Sequence, residues 1–351
     1  MFGYTSYSTE LLNIFSFIFK SFLNCSTSTK FSFNKNFDNV DIYQKILTFI
    51  PKGCFIDPPN IIILEAGGAP NDDEGIFESC EMYSDDIELT KSKYFDIKTN
   101  QIFYKKYLDI ASDELIFRKA YDYKSDINSF TRVLLGAWHT NKDMISVIIN
   151  IFSGYGIFNF AKALGVKYLS NFQKVVEYRA ASLTLDLMWT SVGIALHLYA
   201  AKQQVTIDFL LDGWSNNYCS LWALFWKWTS LWKAHKIGIR LGNFDVQIHA
   251  LKAFAPLFPV AGKLNYASSV CKFLAEIDKD PQLEGLLRYA ASVNIPYLNH
   301  YFAYDEALET YGVKYVKQSL TQYPLDNKTL KLQIKAAQTE NTCIKQLLMN
   351  F

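Results

Sequence analysis

Asp305 and Glu309 stand four residues apart in the segment HYFAYDEALETYGVKYVKQSL, with Lys314 and Lys317 downstream. On a helix, positions i and i+4 share a face, so the spacing predicts two carboxylates side by side. Clustered carboxylates are what two-metal hydrolysis or strand transfer on nucleic acid requires, because they hold the ions that stabilise the attacking and leaving oxygens. That chemistry would call on Mg2+. The competing reading is structural: a capping Asp and a surface Glu paired with Lys.

A second candidate is His139, which follows Trp138 just after an apolar run, Val133–Leu135, and the turn residue Gly136. A His between a strand and a helix can reach a neighbouring carboxylate or a phosphate. It can equally satisfy the turn while Trp138 enters the core. Glu65, just after the β-prone run Ile61–Leu64, is the clearest acid at a strand end. Convergence of Glu65, His139 and Glu309 would make a metal site and keep the chain enzymatic.

A third group is aromatic and basic. Five of the seven tryptophans lie between Trp214 and Trp232, interleaved with Lys227 and followed by Lys233, His235, Lys236 and Arg240. Aromatic rings with lysines can stack bases and hold phosphates. Most of the apolar positions nevertheless follow a helical stripe, which suits a buried helix better. Trp226 falls outside the narrowest stripe and is the ring whose exposure would separate the two readings. Gly242 and Gly262 sit in neither GxGxxG nor GxxxxGK, so the stretch around Arg240, Asn243, Gln247 and Lys263 reads as loop and capping chemistry rather than a phosphate loop.

The elements that must position these residues are mainly helices. Periodicity places them over Thr9–Leu23, Phe37–Ile50, about 72–88, Ser112–Tyr123 with Ser112 as cap, and from Thr140, whose pairing with Asp143 resembles a helix start. Further helices are expected at Phe172–Tyr178, Leu183–Lys202, Ser220–His235, Val246–Phe254, Asn265–Ile277, Gln282–Ser292, Asp305–Leu320 and Lys328–Leu348. Val205–Leu211 reads as strand or helix. Thr90–Lys106 has room for a hairpin. Two strand–turn–helix units, at 61–64 and 133–135, predict a small mixed or parallel sheet with helices on it. The fold class is α+β and helix-dominated.

With 351 residues, half of them apolar and 16% aromatic, the chain can build a large core. Charge is divided: residues 1–126 hold 13 basic and 19 acidic side chains, residues 127–351 hold 22 and 15. The basic half could face DNA, although an excess this mild also fits ordinary surface lysines. The six cysteines, Cys25, Cys54, Cys80, Cys219, Cys271 and Cys343, form no CxxC pair, which disfavours zinc and predicts a reducing intracellular compartment, nuclear or cytoplasmic. The apolar run Leu11–Leu23 follows Glu10 and contains Lys20, unlike a signal peptide. Leu185–Ala201 contains Asp186 and His197, so a buried helix is expected rather than a membrane span. No membrane partner and no small-molecule cofactor are expected.

Read in order, LGAWHTNKDMISVIINIF, a long helical stretch, FPVAGKLNYASSV, ASVN and HYFAYDEALETYGVKYVKQ resemble a poorly characterised group of transposon-derived proteins expanded in arbuscular mycorrhizal fungi. That group resembles cut-and-paste transposases with a ribonuclease-H-like core. The resemblance spans about residues 60–340. It rests on Gly136, Trp138 and His139 opening one helix, Asn265 and Tyr266 opening another, and Asp305, Glu309 and Lys314 or Lys317 closing the domain. It implies a partial ribonuclease-H-like sheet within residues 60–351, a helical insertion at about 165–300 and a helical C-terminal half. Residues 1–59 would be an appended helical or poorly ordered segment, or an artefact of the gene model. Such a transposase also needs two aspartates on early strands and an N-terminal DNA-binding region. Asp72 and Asp73 look like helix-start acids, and no zinc-ligand set is present. The expectation is therefore a truncated or decayed, catalytically incomplete protein with residual DNA binding. Lys227, Lys233, Lys236, Arg240, Lys314 and Lys317 are its candidate phosphate contacts. The rival is a helical protein-interaction module using the Trp-rich helix and Lys328–Leu348, whose Leu330, Ile334, Ala337, Ile344 and Leu348 fall near one face.

Overall fold

The structure is a computed structural model and describes residues 3–23, 37–53, 72–86, 93–96, 101–104, 107–126, 131–211, 217–294 and 301–313. The chain divides into two units. One comprises Met1–Ile56, Thr140–Ser292 and Tyr297–Tyr301, and the other Asp57–His139, Val293–Pro296 and Phe302–Phe351.

The first unit is helical. It opens with α1 (Ser6–Phe22) and α2 (Asn39–Leu47). A capping box starts α1: Thr5 Oγ1 accepts from the Ser8 amide at 3.1 Å, and Ser8 Oγ accepts from the Thr5 amide at 2.8 Å. Leu11, Phe15, Ile18 and Phe19 recur at helical spacing and are fully buried. The residues expected as an appended piece thus supply part of this unit's core.

The second unit holds α3 (Asp73–Asp86), strands β1 (Lys93–Asp96), β2 (Gln101–Tyr104) and β3 (Leu108–Ser112), helix α4 (Glu114–Asp126) and strand β4 (Thr131–Leu135). β1 and β2 form the expected hairpin, an antiparallel pair with Lys93 opposite Tyr104. β3 and β4 are parallel, running from Leu108 opposite Thr131 to Ser112 opposite Leu135, and α4 is the connection between them. Among the described residues these strands stay in separate two-stranded sheets and do not join into one mixed sheet. β3 was not expected, because Ser112 read as a helix cap. Ser112 instead ends the strand, and Asp113 caps α4, its Oδ1 accepting from the Ile116 amide at 3.0 Å. The strand expected at 61–64 lies outside the described residues.

From β4 the chain enters α5 (Ala137–Phe152), which starts three residues before the expected Thr140. The helical unit continues through α6 (Ile157–Ala163), α7 (Leu169–Gln173), α8 (Tyr178–Gln203), α9 (Ile207–Leu211), α10 (Asn217–Leu241), α11 (Phe244–Phe254), α12 (Leu257–Val260), α13 (Leu264–Lys279) and α14 (Pro281–Ala290). Its axis is the pair α8 and α10, at 26 and 25 residues, with α1 and α11 packed on them. Both are apolar around much of their circumference, as helices enclosed by others must be. Phe19, Trp189 and Trp226 meet at their centre. Gly193 makes room for them: a Cβ there would lie 2.6 Å from the Phe19 ring and from Trp226 Nε1. Asn243 caps α11 through Oδ1 to the Val246 amide at 3.1 Å, as its loop-and-cap reading required.

Two-residue strands β5 (Val293–Asn294) and β6 (Tyr301–Phe302) follow. The last described element is α15 (Tyr304–Ala307), which passes at once into a π-helical turn over Leu308–Val313. The long helix expected from Asp305 is therefore one α turn and one wider turn within the described residues.

Candidate functional site

Asp305 sits in the first turn of α15, against β3, with only 4% of its side chain exposed. Its carboxylate turns to the start of α5. Oδ1 accepts from the Trp138 amide at 3.2 Å, and Oδ2 accepts from the His139 amide at 2.9 Å. These are second- and third-residue amides of the helix, the donors a capping residue normally satisfies with its own side chain. The residue in the cap position is Gly136, which has no side chain to offer. A carboxylate 166 residues downstream does the work instead, and its charge also meets the positive end of the α5 dipole.

Gly136 has to be glycine for this arrangement. Its amide donates to the Ser112 carbonyl at 2.7 Å, joining the carboxyl ends of β3 and β4. A Cβ at this position would lie 2.6 Å from that same carbonyl oxygen and would collide with the Asp305 carboxylate. The Gly–aromatic–His segment and the Asp of the D-x-x-x-E segment are thus two halves of one junction.

His139 completes it. Its Nδ1 lies 3.0 Å from Asp305 Oδ2, and since a carboxylate can only accept, Nδ1–H is the donor. Burial works to lower the His139 pKa. The hydrogen bond and charge of Asp305, joined by the charges of Asp113 and Glu309, outweigh burial and raise it. A carboxylate-oriented imidazole is one part of an acid–base site. Ser112 Oγ, at the end of β3, is buried with no hydrogen-bond partner among the described residues.

Glu309 lies in the π-helical turn, half-buried and close enough to bear on the titration of His139. Glu65, Lys314, Lys317 and the segment Lys328–Leu348 lie outside the described residues. Asp109 is a strand-borne aspartate that sequence reasoning missed along with β3. It makes a fork with its cross-strand neighbour Arg132, at 2.6 Å from Nε to Oδ1 and 2.8 Å from Nη2 to Oδ2. Asp113 was also missed, and a strand ending at Ser112 is the signal that would have found it. Among the described residues, no three His, Cys, Asp or Glu side chains group to hold a metal ion. A divalent cation at Asp305 would have to displace two backbone amides and an imidazole, so Asp305 as placed does not fit an Mg2+ ligand.

The basic candidates on α10 belong to the helical unit, and three of them are held by other groups of that unit. Lys233 is 4% exposed and bonds Asp186 Oδ1 at 2.7 Å. Lys236 bonds Asp186 Oδ2 at 2.8 Å and Ser182 Oγ at 2.6 Å. Arg240 donates to the Tyr301 carbonyl at 3.1 Å. Lys233 therefore cannot meet a phosphate: burial depresses its pKa, while Asp186 works to restore it. Lys227 is half-buried, its ammonium 4.3 Å from the Tyr4 ring, beside a cavity of about 590 Å3 that Lys20 and Asp208 also border. Trp226, the ring outside the narrowest stripe, is 2% exposed, because its ring closes the gap left by Gly193, which favours the buried-helix reading. The rival interaction surface on this helix is thus core over Trp226 and Trp232. One buried polar hub holds the same unit. Asn141 Oδ1 accepts from Trp232 Nε1 at 2.9 Å and Tyr178 Oη at 2.8 Å, and its Nδ2 donates to the Trp232 carbonyl at 3.3 Å.

No family model, curated protein or solved structure matches the chain. Among the described residues one helix, α8, is long and apolar enough to cross a membrane, and 67% of its most apolar window is buried in the protein. α5 and α6 pass the same test only together, as a pair bent by 101°.

Proposed function

We propose that the chain is a transposon-derived, ribonuclease-H-like protein that has lost nuclease chemistry and retains nucleic-acid binding. The carrying observation is the use of Asp305. In a ribonuclease-H-like transposase, strand aspartates and a helical acid converge on metal ions. Here the helical acid reaches the carboxyl ends of two parallel strands, the place where such acids meet, and caps α5 there. The described strand aspartate, Asp109, stands near the start of β3 rather than at that end and is held by Arg132, while His139 hydrogen-bonds Asp305. The geometry supports a strand-end site converted from holding cations to holding the fold together.

Retained binding is supported by the charge of the helical unit. Between residues 151 and 180 there are four basic side chains, Lys162, Lys167, Lys174 and Arg179, against one acid, Glu177, and all five are exposed. Phosphate contacts of this kind give weak binding that falls steeply with salt. The test is a plasmid-nicking assay with Mg2+ beside DNA binding followed across a salt series. The expected result is no Mg2+-dependent nicking and binding that weakens as salt rises. Robust Mg2+-dependent cleavage that is lost in Glu309→Ala would overturn the loss of chemistry, and salt-insensitive or absent binding would overturn the rest.

A further inference from the structure

The helical unit contains an aromatic cup of about 580 Å3 between α6, the middle of α8 and the start of α10. Phe160, Tyr199 and Trp222 form its walls, and Tyr155 and Tyr218 stand at its rim, 56% and 65% exposed. The Trp222 ring meets Phe160 and Tyr218 edge-to-face, each at 6.2 Å between centroids. No charged side chain lines the cup; its polar groups are hydroxyls, the Asn159 amide and the Cys219 thiol. Its volume suits a small planar group, and rings this exposed suit a ligand better than a core.

Cations stand just outside. Lys162 follows the lining residue Asn159 by three positions on α6, and Lys202 follows Tyr199 by three on α8, so each shares a helix face with a wall of the cup. Both are exposed. Uncharged π-faces inside and ammonium groups outside are the two parts that hold a base and its flanking phosphates on a single strand. A base inside a duplex is already stacked on its neighbours and cannot enter.

We infer that the cup binds one unstacked base of a single-stranded nucleic acid, with the adjoining phosphates on Lys162 and Lys202. The inference rests on the nucleic-acid reading above and names the surface that would carry it. The experiment measures binding of the full chain to three labelled 12-mers by fluorescence anisotropy: oligothymidine, an abasic strand with the same phosphates, and a duplex. Oligothymidine is expected to bind at least about tenfold more tightly than the abasic strand, as stacking by even one base provides. Tyr155→Ala with Tyr218→Ala removes two exposed rings and leaves every buried side chain in place. That variant should lose the tenfold advantage and keep its affinity for the abasic strand. Bound oligothymidine should also slow alkylation of Cys219, read by peptide mapping. If base-bearing and abasic strands bind alike, or the double variant binds oligothymidine like the parent, the cup is not the base site while nucleic-acid binding stands. If none of the three binds, both readings fall.

Discussion

Gly136 and Asp305 constrain each other at the level of single atoms. Adding a methyl group in Gly136→Ala pushes a carbon onto the Ser112 carbonyl and the carboxylate together. The expected loss is about 1–3 kcal/mol, typical of forced overpacking, read as a lower urea midpoint. Asp305→Asn keeps the shape but turns an amide N–H toward backbone donors and removes the charge at the helix start, for an expected loss of about 1–2 kcal/mol. Two histidines give opposite pH behaviour. The His139 pKa is raised on folding, so its contribution is complete below the unfolded value of about 6.5 and is lost as pH rises through the folded value. His197 is the reverse: burial lowers it to about 4, against a weaker opposing hydrogen bond to the Gly193 carbonyl. Ser16 Oγ donates to its Nε2 at 3.0 Å, which requires the neutral ring. The unfolded chain therefore binds this proton first, and stability falls as pH drops from about 6.5 to 4, by about 3 kcal/mol in all. Urea titrations across that range should show the slope in the parent and its loss in His197→Gln. An unchanged slope would place the acid sensitivity elsewhere.

At the scale of elements, α8 and α10 are joined by charge as well as by rings. Asp186 holds Lys233 and Lys236 from α10 while Trp189 Nε1 donates to Ser230 Oγ at 2.7 Å. Removing the carboxylate in Asp186→Asn leaves the Lys233 ammonium buried without its counter-charge, which should cost about 3–5 kcal/mol. Adding Lys233→Met to that variant should restore most of the loss, since the stem stays buried and the charge is gone. Failure of the second substitution to rescue would assign the effect to Lys236 or to packing. Gly193→Ala tests the ring contact of the same helix pair, with an expected loss of about 1–3 kcal/mol followed by tryptophan fluorescence.

For the molecule as a whole, helices were the legible part. The stripes of α1 and α13 and the long apolar runs of α8 and α10 stand in the sequence, because neither needs a partner to be seen. The hairpin was legible only as room for two short strands within Thr90–Lys106. β3 was not, since LDIAS is too short for its alternation to separate from the helix that follows. The junction at Asp305 was half legible. The residues stood out by type, yet their use depends on a contact across 166 positions that no local spacing encodes. Lys233 and Lys236 misled for a related reason. A lysine on an aromatic helix reads as a phosphate contact until its neighbour Asp186, some 47 residues earlier, is seen to hold it. Salt sensitivity is expected to follow the exposed cations of 151–180 instead. Reversing Lys162 and Lys174 to Glu should weaken DNA binding more than tenfold at low salt and flatten the salt dependence, whereas Lys233→Met should leave both unchanged.

The start of α5 also sets an order of events during synthesis. The carboxylate that closes its first turn emerges 166 residues after the amides it binds. At about 5–20 residues per second, those amides wait roughly ten to thirty seconds, during which the intervening helical chain is made. The turn at Trp138 and His139 is therefore among the last parts of its unit to settle on the ribosome. A chain that stalls before residue 305 would leave it open to chaperones and proteases.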